Sequence, residues 1–377
     1  MKYALVLTTI NTAERLLHDF AENFRKFRHT KDVEIIVIGD KKTPQEIATV
    51  VAKTNRQVPC TYLDIPQQLE WLSRFPGLAD IFPYNSDNRR NIGYLVAAEH
   101  RAEVLISIDD DNYPLSNEDY LAGHAIVGQT KTLPQVKCRN HWVNICEFLQ
   151  CQPSWTVYPR GFPYSRRFPK ERQSLAGEIT GRVAVNAGLW LKSPDVDAIS
   201  RLATPVVTTK LLRTRTCIPP GYFTPINSQN TALLIQALPA YYFVLQGWRL
   251  DGMVLDRYGD IWQGFFLKLV TDHCGDLVTV GKPVTNHERN VHDLFADLKV
   301  EFKGMQLGDV MAQLLENTRL THTTSYGDAT TELANRLPSL IRGIDGVSDE
   351  LVSFAEQIAK NMLVWVEACK KIGKIGG

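Results

Sequence analysis

The residues best placed to do chemistry are three consecutive carboxylates, Asp109, Asp110 and Asp111, which follow the apolar run Val104 to Ile108. Side chains alternate along extended backbone, so Asp109 and Asp111 share one face and Asp110 takes the other. Three adjacent carboxylates repel one another and lose solvation at the end of a buried strand. A divalent cation among them removes that cost. Mg2+ or Mn2+ binds through one or two protein carboxylates plus phosphate oxygens of a substrate. Asp109 and Asp111 are therefore the expected metal ligands, and Asp110 is left to hydrogen-bond ribose or protein. The plainer reading is an acidic turn that caps the next segment.

Three other segments carry candidates. Arg89 and Arg90 stand near the start of a helix that runs from Asp87 to Ala98. A helix N-terminus favours anions, and an arginine there can grip a phosphate or stack on uracil. The alternative is a pair of solvated surface arginines. The run Tyr158 to Arg167 sets Arg160 and Arg167 among aromatic and proline residues. That mixture offers flat faces to sugar C–H groups and guanidiniums to phosphate oxygens, or else makes a structural loop with surface charge. Finally, Asp260 opens an apolar helix, where it can act as a base or simply cap. His287 is a candidate third protein ligand for the metal, although a single histidine is more often structural.

These residues must be positioned by a framework, and the first 110 residues supply one. Residues 3–9 read as a strand. A helix follows with Leu16, Leu17, Phe20, Phe24 and Phe27 on one stripe, capped by Asn11 with Glu14 three residues on. Val33 to Ile38 is an apolar strand ending at Gly39-Asp40. Thr43-Pro44-Gln45-Glu46 predicts a second capped helix start, Cys60 to Asp64 a third strand, and residues 66–75 a short helix. This rhythm predicts an α/β fold, a mostly parallel sheet with helices on both faces. Ligands of such sheets bind beyond the carboxyl ends of the strands. Thr8, Asp40 and Asp109 to Asp111 then gather along one rim, a nucleotide site in outline. Further on, Val183 to Leu191 reads as a strand, Pro219-Pro220-Gly221 as a turn, and residues 229–239 and 260–274 as helical. Leu351, Phe354, Ile358, Met362, Trp365, Val366 and Cys369 mark a long amphipathic helix. Its apolar face needs cover from the catalytic domain or from a second subunit, so a homo-oligomer through the C-terminal helices is an open expectation.

Composition narrows the class. The 377 residues are 44% hydrophobic and 22% charged, with a net charge of +1. That is the make-up of a globular protein with one large or two ordinary domains. It gives no global attraction to nucleic acid or acidic membrane. No apolar run reaches the length of a membrane span, and the apolar start is too short for a signal peptide. Seven cysteines, an odd number without CxxC spacing, read as reduced thiols of a cytoplasmic protein.

Taken together and in order, these segments resemble the reversibly glycosylated polypeptides, a family that includes the plant UDP-arabinopyranose mutases. The matching features are the strand running into Asp-Asp-Asp and the loop Arg160-Gly-Phe-Pro-Tyr-Ser-Arg-Arg167. Others are Gly188 to Leu191 followed by Pro194 to Ala198, Arg257 to Gly264, the pair Asp272-His273, Glu301 to Gly304, and Trp-Val-Glu-Ala at 365–368. The resemblance implies a GT-A-like nucleotide-sugar-binding catalytic domain over residues 1–300 and a helical region over 301–377. It further implies a UDP-sugar substrate and a Mn2+ or Mg2+ cofactor, with Asp109, Asp110 and Asp111 holding metal and diphosphate. Arg160 matches the arginine reported as reversibly glycosylated, and Arg167 the second arginine of that loop. Arg90 and His287 also match family positions. The chain departs from the pattern at Gly259, which replaces the first acid of an Asp-Asp pair, and at Asn227-Ser-Gln-Asn230.

The expected activity is a mutase that interconverts pyranose and furanose forms of a UDP-sugar, with UDP leaving C1 and being recaptured. Arg160 would stabilise the departing charge or trap the sugar. A guanidinium stays protonated and is a poor nucleophile, which favours the electrostatic role. A transferase is the alternative, with Asp260 as base for an acceptor hydroxyl and Gly259 opening space beside it. A third reading is a non-enzymatic UDP-sugar-binding subunit.

Overall fold

The computed structural model describes residues 1–168, 173–290, 293–321 and 325–373. The N-terminal part alternates strand and helix: β1 (Tyr3–Thr8), α1 (Glu14–Lys26), β2 (Val33–Ile38), α2 (Ile47–Asn55), β3 (Cys60–Leu63), α3 (Ile65–Leu72), α4 (Arg90–Glu99) and β4 (Val104–Ile108). The strands lie side by side in the order β3, β2, β1, β4, all parallel. β1, β4 and almost all of β2 are buried, which is why these segments read as continuous apolar runs. Helix α4 lies close on β1 because of Gly93. A Cβ there would stand 2.5 Å from Val6 Cγ1, so only a hydrogen fits.

Beyond β4 the sheet changes character. The next elements are β5 (Asn112–Pro114), α5 (Tyr120–His124), β6 (Thr130–Lys137), β7 (Leu149–Gln152), the long β8 (Ser174–Lys192), α6 (Ala198–Ala203), β9 (Val207–Leu211), β10 (Arg215–Ile218) and β11 (Asn230–Leu234). The hairpin β12 (Trp248–Leu250) and β13 (Met253–Leu255) precedes α7 (Gly259–His273) and β14 (Leu277–His287). β11 runs antiparallel between β4 and β8, and β14 joins β8 in parallel and β5 antiparallel. Residues 229–239 are therefore not a helix, as the sequence suggested, but a strand followed by a 3-10 turn at Ile235–Ala240. β11 is covered on both faces, and a short apolar run buried on both sides carries no period that separates strand from helix.

Two expected caps are used otherwise. Helix α1 starts at Glu14 after Ala13, and Asn11 instead reaches Asp110. Thr43 does not cap α2; its hydroxyl accepts from Asp40 N–H and donates to the Thr9 carbonyl, so it binds two active-site loops together.

The C-terminal helices are α8 (Leu294–Gln306), α9 (Gly308–Asn317), α10 (Tyr326–Arg342) and α11 (Asp349–Gly373). The expected domain boundary at residue 300 falls inside α8, and Glu301 on that helix accepts hydrogen bonds from Ala198 N–H and Arg257 Nε. The apolar face of α11 is covered by the chain's own elements. Phe354 packs on Trp248 and Trp262, and Trp365 donates to the Leu238 carbonyl. All seven residues of the stripe are buried, so this face is not left for a second subunit. No helix among the described residues is long and apolar enough to cross a membrane. The seven cysteines are free thiols, five of them buried.

Candidate active site

The three aspartates sit where β4 ends, and each has its own partner. Asp110 is drawn to the loop after β1: its Oδ2 accepts from Thr9 Oγ1 at 2.5 Å and from Asn11 Nδ2 at 3.0 Å. Asp109 points the other way, 2.6 Å from the guanidinium of Arg90. That contact falls on Oδ1, which is buried and has no hydrogen bond of good geometry among the described residues. Burial pushes the Asp109 carboxyl up to about 6, against the pull of Arg90, and the nearby Asp111 adds to the rise. Asp111 is also penalised by burial, but His287 and Asn112 more than offset this and hold its carboxyl below the usual range.

His287 ends β14 and meets Asp111 at 3.4 Å through Nε2. Its Nδ1 lies 2.7 Å from the Ser193 carbonyl. A carbonyl only accepts, so Nδ1 carries a proton, and Nε2 is left to face the Asp111 carboxylate. That contact holds either with a proton between Nε2 and the carboxylate or with a cation that both ligate. A backbone carbonyl on the far nitrogen is also the usual device that orients a metal-binding histidine. Among the described residues, no three His, Cys, Asp or Glu side chains already converge as a complete metal cage. A cation that takes one or two carboxylates and completes its shell with phosphate oxygens does not require one. Asp109, held by the charge of Arg90 without a well-aligned hydrogen bond, and the Asp111–His287 pair fit such an ion.

The remaining rim residues have mainly structural partners. Thr8 donates its hydroxyl to the Ile38 carbonyl, and Asp40 accepts from the backbone N–H groups of Lys41 and Ser86. Both border the cavity. Arg89 and Arg90 are 1% and 3% exposed, so neither is a solvated surface arginine. Arg89 is spent on Gln68 Oε1 and the Phe82 carbonyl, away from any ligand. Arg90 bonds the Ser228 hydroxyl and carbonyl and serves as the buried counter-ion of Asp109.

The Tyr158–Arg167 loop delivers Arg160 to the same cavity, but not as a free cation. Its Nε and Nη2 donate to Asp195 at 3.0 Å each, and its Nη1 and Nη2 donate to Asp260 at 3.1 and 2.8 Å. The remaining Nη1 hydrogen goes to the Arg257 carbonyl. A guanidinium carries five N–H donors, and all five are used. Arg167 does not line the cavity. It donates to Asp197 and the Phe162 carbonyl and lies over the Tyr164 ring at 3.8 Å, so it shapes the loop that carries Arg160. Nor does Gly259 open space beside Asp260. A Cβ there would stand 2.3 Å from the Val244 carbonyl oxygen, because the chain at Phe243–Gln246 already fills that position.

Thr8, Asp40, Arg90, Asp109 to Asp111, Arg160, Asp260 and His287 border one cavity of about 720 Å³, which runs from Thr8 and Asp40 past the three aspartates to α8. Among the described residues lining it, nine aspartates face six lysines and arginines. Sequence reading did not single out Asp195, Arg201, Arg257 or Arg289 as site residues, although all four line the cavity. Asp195 and Arg257 lay inside segments that carried the family resemblance; nothing local marked Arg201 or Arg289.

The chain is 25% identical over 365 residues to probable UDP-arabinopyranose mutase 4 of Arabidopsis thaliana, covering 94% of this chain and 88% of that one. It is 29% identical over 291 residues to UDP-arabinopyranose mutase 3 of the same plant, covering 76% and 73%. Among solved structures, glucosyl-3-phosphoglycerate synthase from Mycobacterium tuberculosis matches with a TM-score of 0.40 at 10% identity, covering 82% of this chain and 79% of that one. The model of the family described as reversibly glycosylated polypeptide matches residues 3–374, from the first strand to the end of the last helix, and the chain belongs to that family.

Proposed function

We propose that the protein is a UDP-sugar mutase that converts a UDP-pyranose such as UDP-arabinopyranose into its furanose isomer without an acceptor. The C1–O bond to the diphosphate breaks, the C1–O5 ring bond opens, the C4 hydroxyl closes on C1 while its proton ends on O5, and the same diphosphate oxygen rejoins C1. No atom is gained or lost. Membership of a family whose relatives carry the mutase name supports this reading, as does the acidic, two-ended cavity.

Asp109 and Asp111, with His287 as third ligand, would hold Mn2+ or Mg2+, which supplies charge neutralisation at the diphosphate when bound. Arg90 keeps the buried Asp109 compensated in the absence of substrate. Asp110, turned to the β1 loop, faces the rim next to Thr8 and Asp40 and suits a ribose hydroxyl. Asp195 and Asp260 are clamped in one orientation by Arg160 on the wall of the cavity.

The observation that carries the mutase over a transferase is the commitment of Asp260. A base for an acceptor hydroxyl needs a carboxylate oxygen free to take a proton. Both oxygens of Asp260 accept from Arg160 instead, and the space beside Gly259 is filled. The test is incubation with Mn2+ and UDP-arabinopyranose, and separately UDP-glucose, with no acceptor, followed by chromatography. A new UDP-sugar of unchanged mass is the expected product. Free UDP alone, or tight UDP binding without conversion, would overturn the mutase reading for those sugars.

A further inference from the structure

We propose that the departing diphosphate is received by Arg201, Arg257 and Arg289, and that Arg160 does not touch it. The proposal rests on the UDP-sugar reading and concerns which guanidiniums of the cavity take the anion.

The three arginines form one wall. Arg289 and Arg257 straddle a single carboxylate, Asp297, at 2.6 Å and 3.8 Å, and Arg257 also donates to Glu301 at 2.9 Å. Arg201 donates to Ser193 Oγ at 3.0 Å and to the Pro194 carbonyl at 2.6 Å. Ser193 is also the residue whose carbonyl orients His287, so Arg201 hangs beside the metal end of the cavity. Asp297 and Glu301 are the carboxylates ion-paired with this wall, and they engage Arg257 and Arg289 while Arg201 is held by neutral acceptors.

Donor use points the same way. Arg160 spends all five N–H groups on protein acceptors. Among the described residues, Arg201 spends two on hydrogen bonds, Arg257 one and Arg289 one. The rest are available to phosphate oxygens, which the planar fork of a guanidinium matches in pairs. Burial and the neighbouring charge of Arg289 lower Arg201 to about 10. Like-charged neighbours on a partly buried wall are relieved by an anion between them. As the C1–O bond breaks, negative charge grows on the diphosphate oxygen, so donors aimed there gain strength in the transition state.

The test measures affinity for uridine, UMP and UDP by calorimetry at one saturating Mn2+ concentration. The proteins are the wild type, Arg201→Gln, Arg289→Gln, Arg289→Lys and Arg160→Ala. Each glutamine variant should lose about tenfold in UDP affinity, the scale of one charged hydrogen bond. Uridine affinity should hold, and kcat should fall more than KM rises. Arg289→Lys should recover part of the loss. Arg160→Ala should keep the wild-type preference of UDP over UMP. Equal losses for uridine, UMP and UDP, an unchanged UDP-to-UMP ratio in both glutamine variants, or a collapse of that ratio in Arg160→Ala would overturn the assignment. If the wild type binds no uridine nucleotide, the UDP-sugar reading falls, and this inference falls with it.

Discussion

Arg160→Ala separates a positioning arginine from one that meets the substrate. Arg160, Asp195 and Asp260 are 6%, 5% and 6% exposed, and the guanidinium makes four hydrogen bonds to the two carboxylates and one to a backbone carbonyl. Removing one partner of a buried ion pair costs about 3–5 kcal/mol, because the charge left behind is uncompensated. The lower end, about 3 kcal/mol, applies here, since both aspartates border a cavity that admits water. Unfolding entropy of roughly 2.1 cal/mol/K per residue over this chain makes that about 4 °C in melting temperature. Arg160→Ala should therefore melt about 4 °C below wild type as well as losing turnover. Arg160→Lys, with charge but no fork, should fall between. Adding Asp195→Asn to Arg160→Ala removes one stranded charge and should restore part of the lost stability, a coupling that a double-mutant cycle reads directly. Thermal denaturation followed by circular dichroism, with isomerisation assayed in parallel, decides it. An Arg160→Ala protein that melts at the wild-type temperature but is inactive would refute the reasoning, because the donors would then be aimed at substrate and not at the carboxylates.

Gly259→Asp, which writes the family's acid back into the chain, should destabilise by about 1–3 kcal/mol through overpacking against the Val244 carbonyl. Urea denaturation checks this, and wild-type stability would show that the Phe243–Gln246 segment moves aside freely. His124 predicts a pH effect far from the site. It is fully buried, accepts from Asn186 at Nδ1 and faces Asn230 Oδ1 at Nε2, and burial lowers it to about 3. The unfolded chain takes up this proton near pH 6.5 and the folded one does not, so stability present above about 6.5 is lost as pH falls towards 3. At about 1.4 kcal/mol per pH unit, wild type should lose about 2 kcal/mol more than His124→Gln between pH 6.5 and 5. Equal losses in urea titrations at the two pH values would remove His124 as the cause.

The fold was legible where the chain has a local period or punctuation. The parallel half follows from apolar runs of strand length alternating with amphipathic helices, and Asp109 to Asp111 announced the rim because carboxylates directly after a buried strand need a partner. β11 was not legible, since Asn230 to Leu234 is covered on both faces. The caps at Asn11 and Thr43 misled for a different reason. Both residues have capping chemistry, but tertiary partners outbid the local bond: Asp110 takes Asn11, and the loops at Thr9 and Asp40 take Thr43.

The arginines mark the deeper limit. From sequence, Arg160 and Arg167 stood out because aromatic and proline neighbours made their loop look like a ligand surface. Whether a guanidinium is available depends on how many acceptors the rest of the chain brings to it, and those come from far away. Asp195 lies 35 residues from Arg160 and Asp260 lies 100 residues away. Arg201 and Arg289 had ordinary neighbours and drew no attention, yet they reach the cavity with donors to spare. In a site assembled from distant segments, residue type says which groups can bind phosphate, and the tally of acceptors around each one says which of them does.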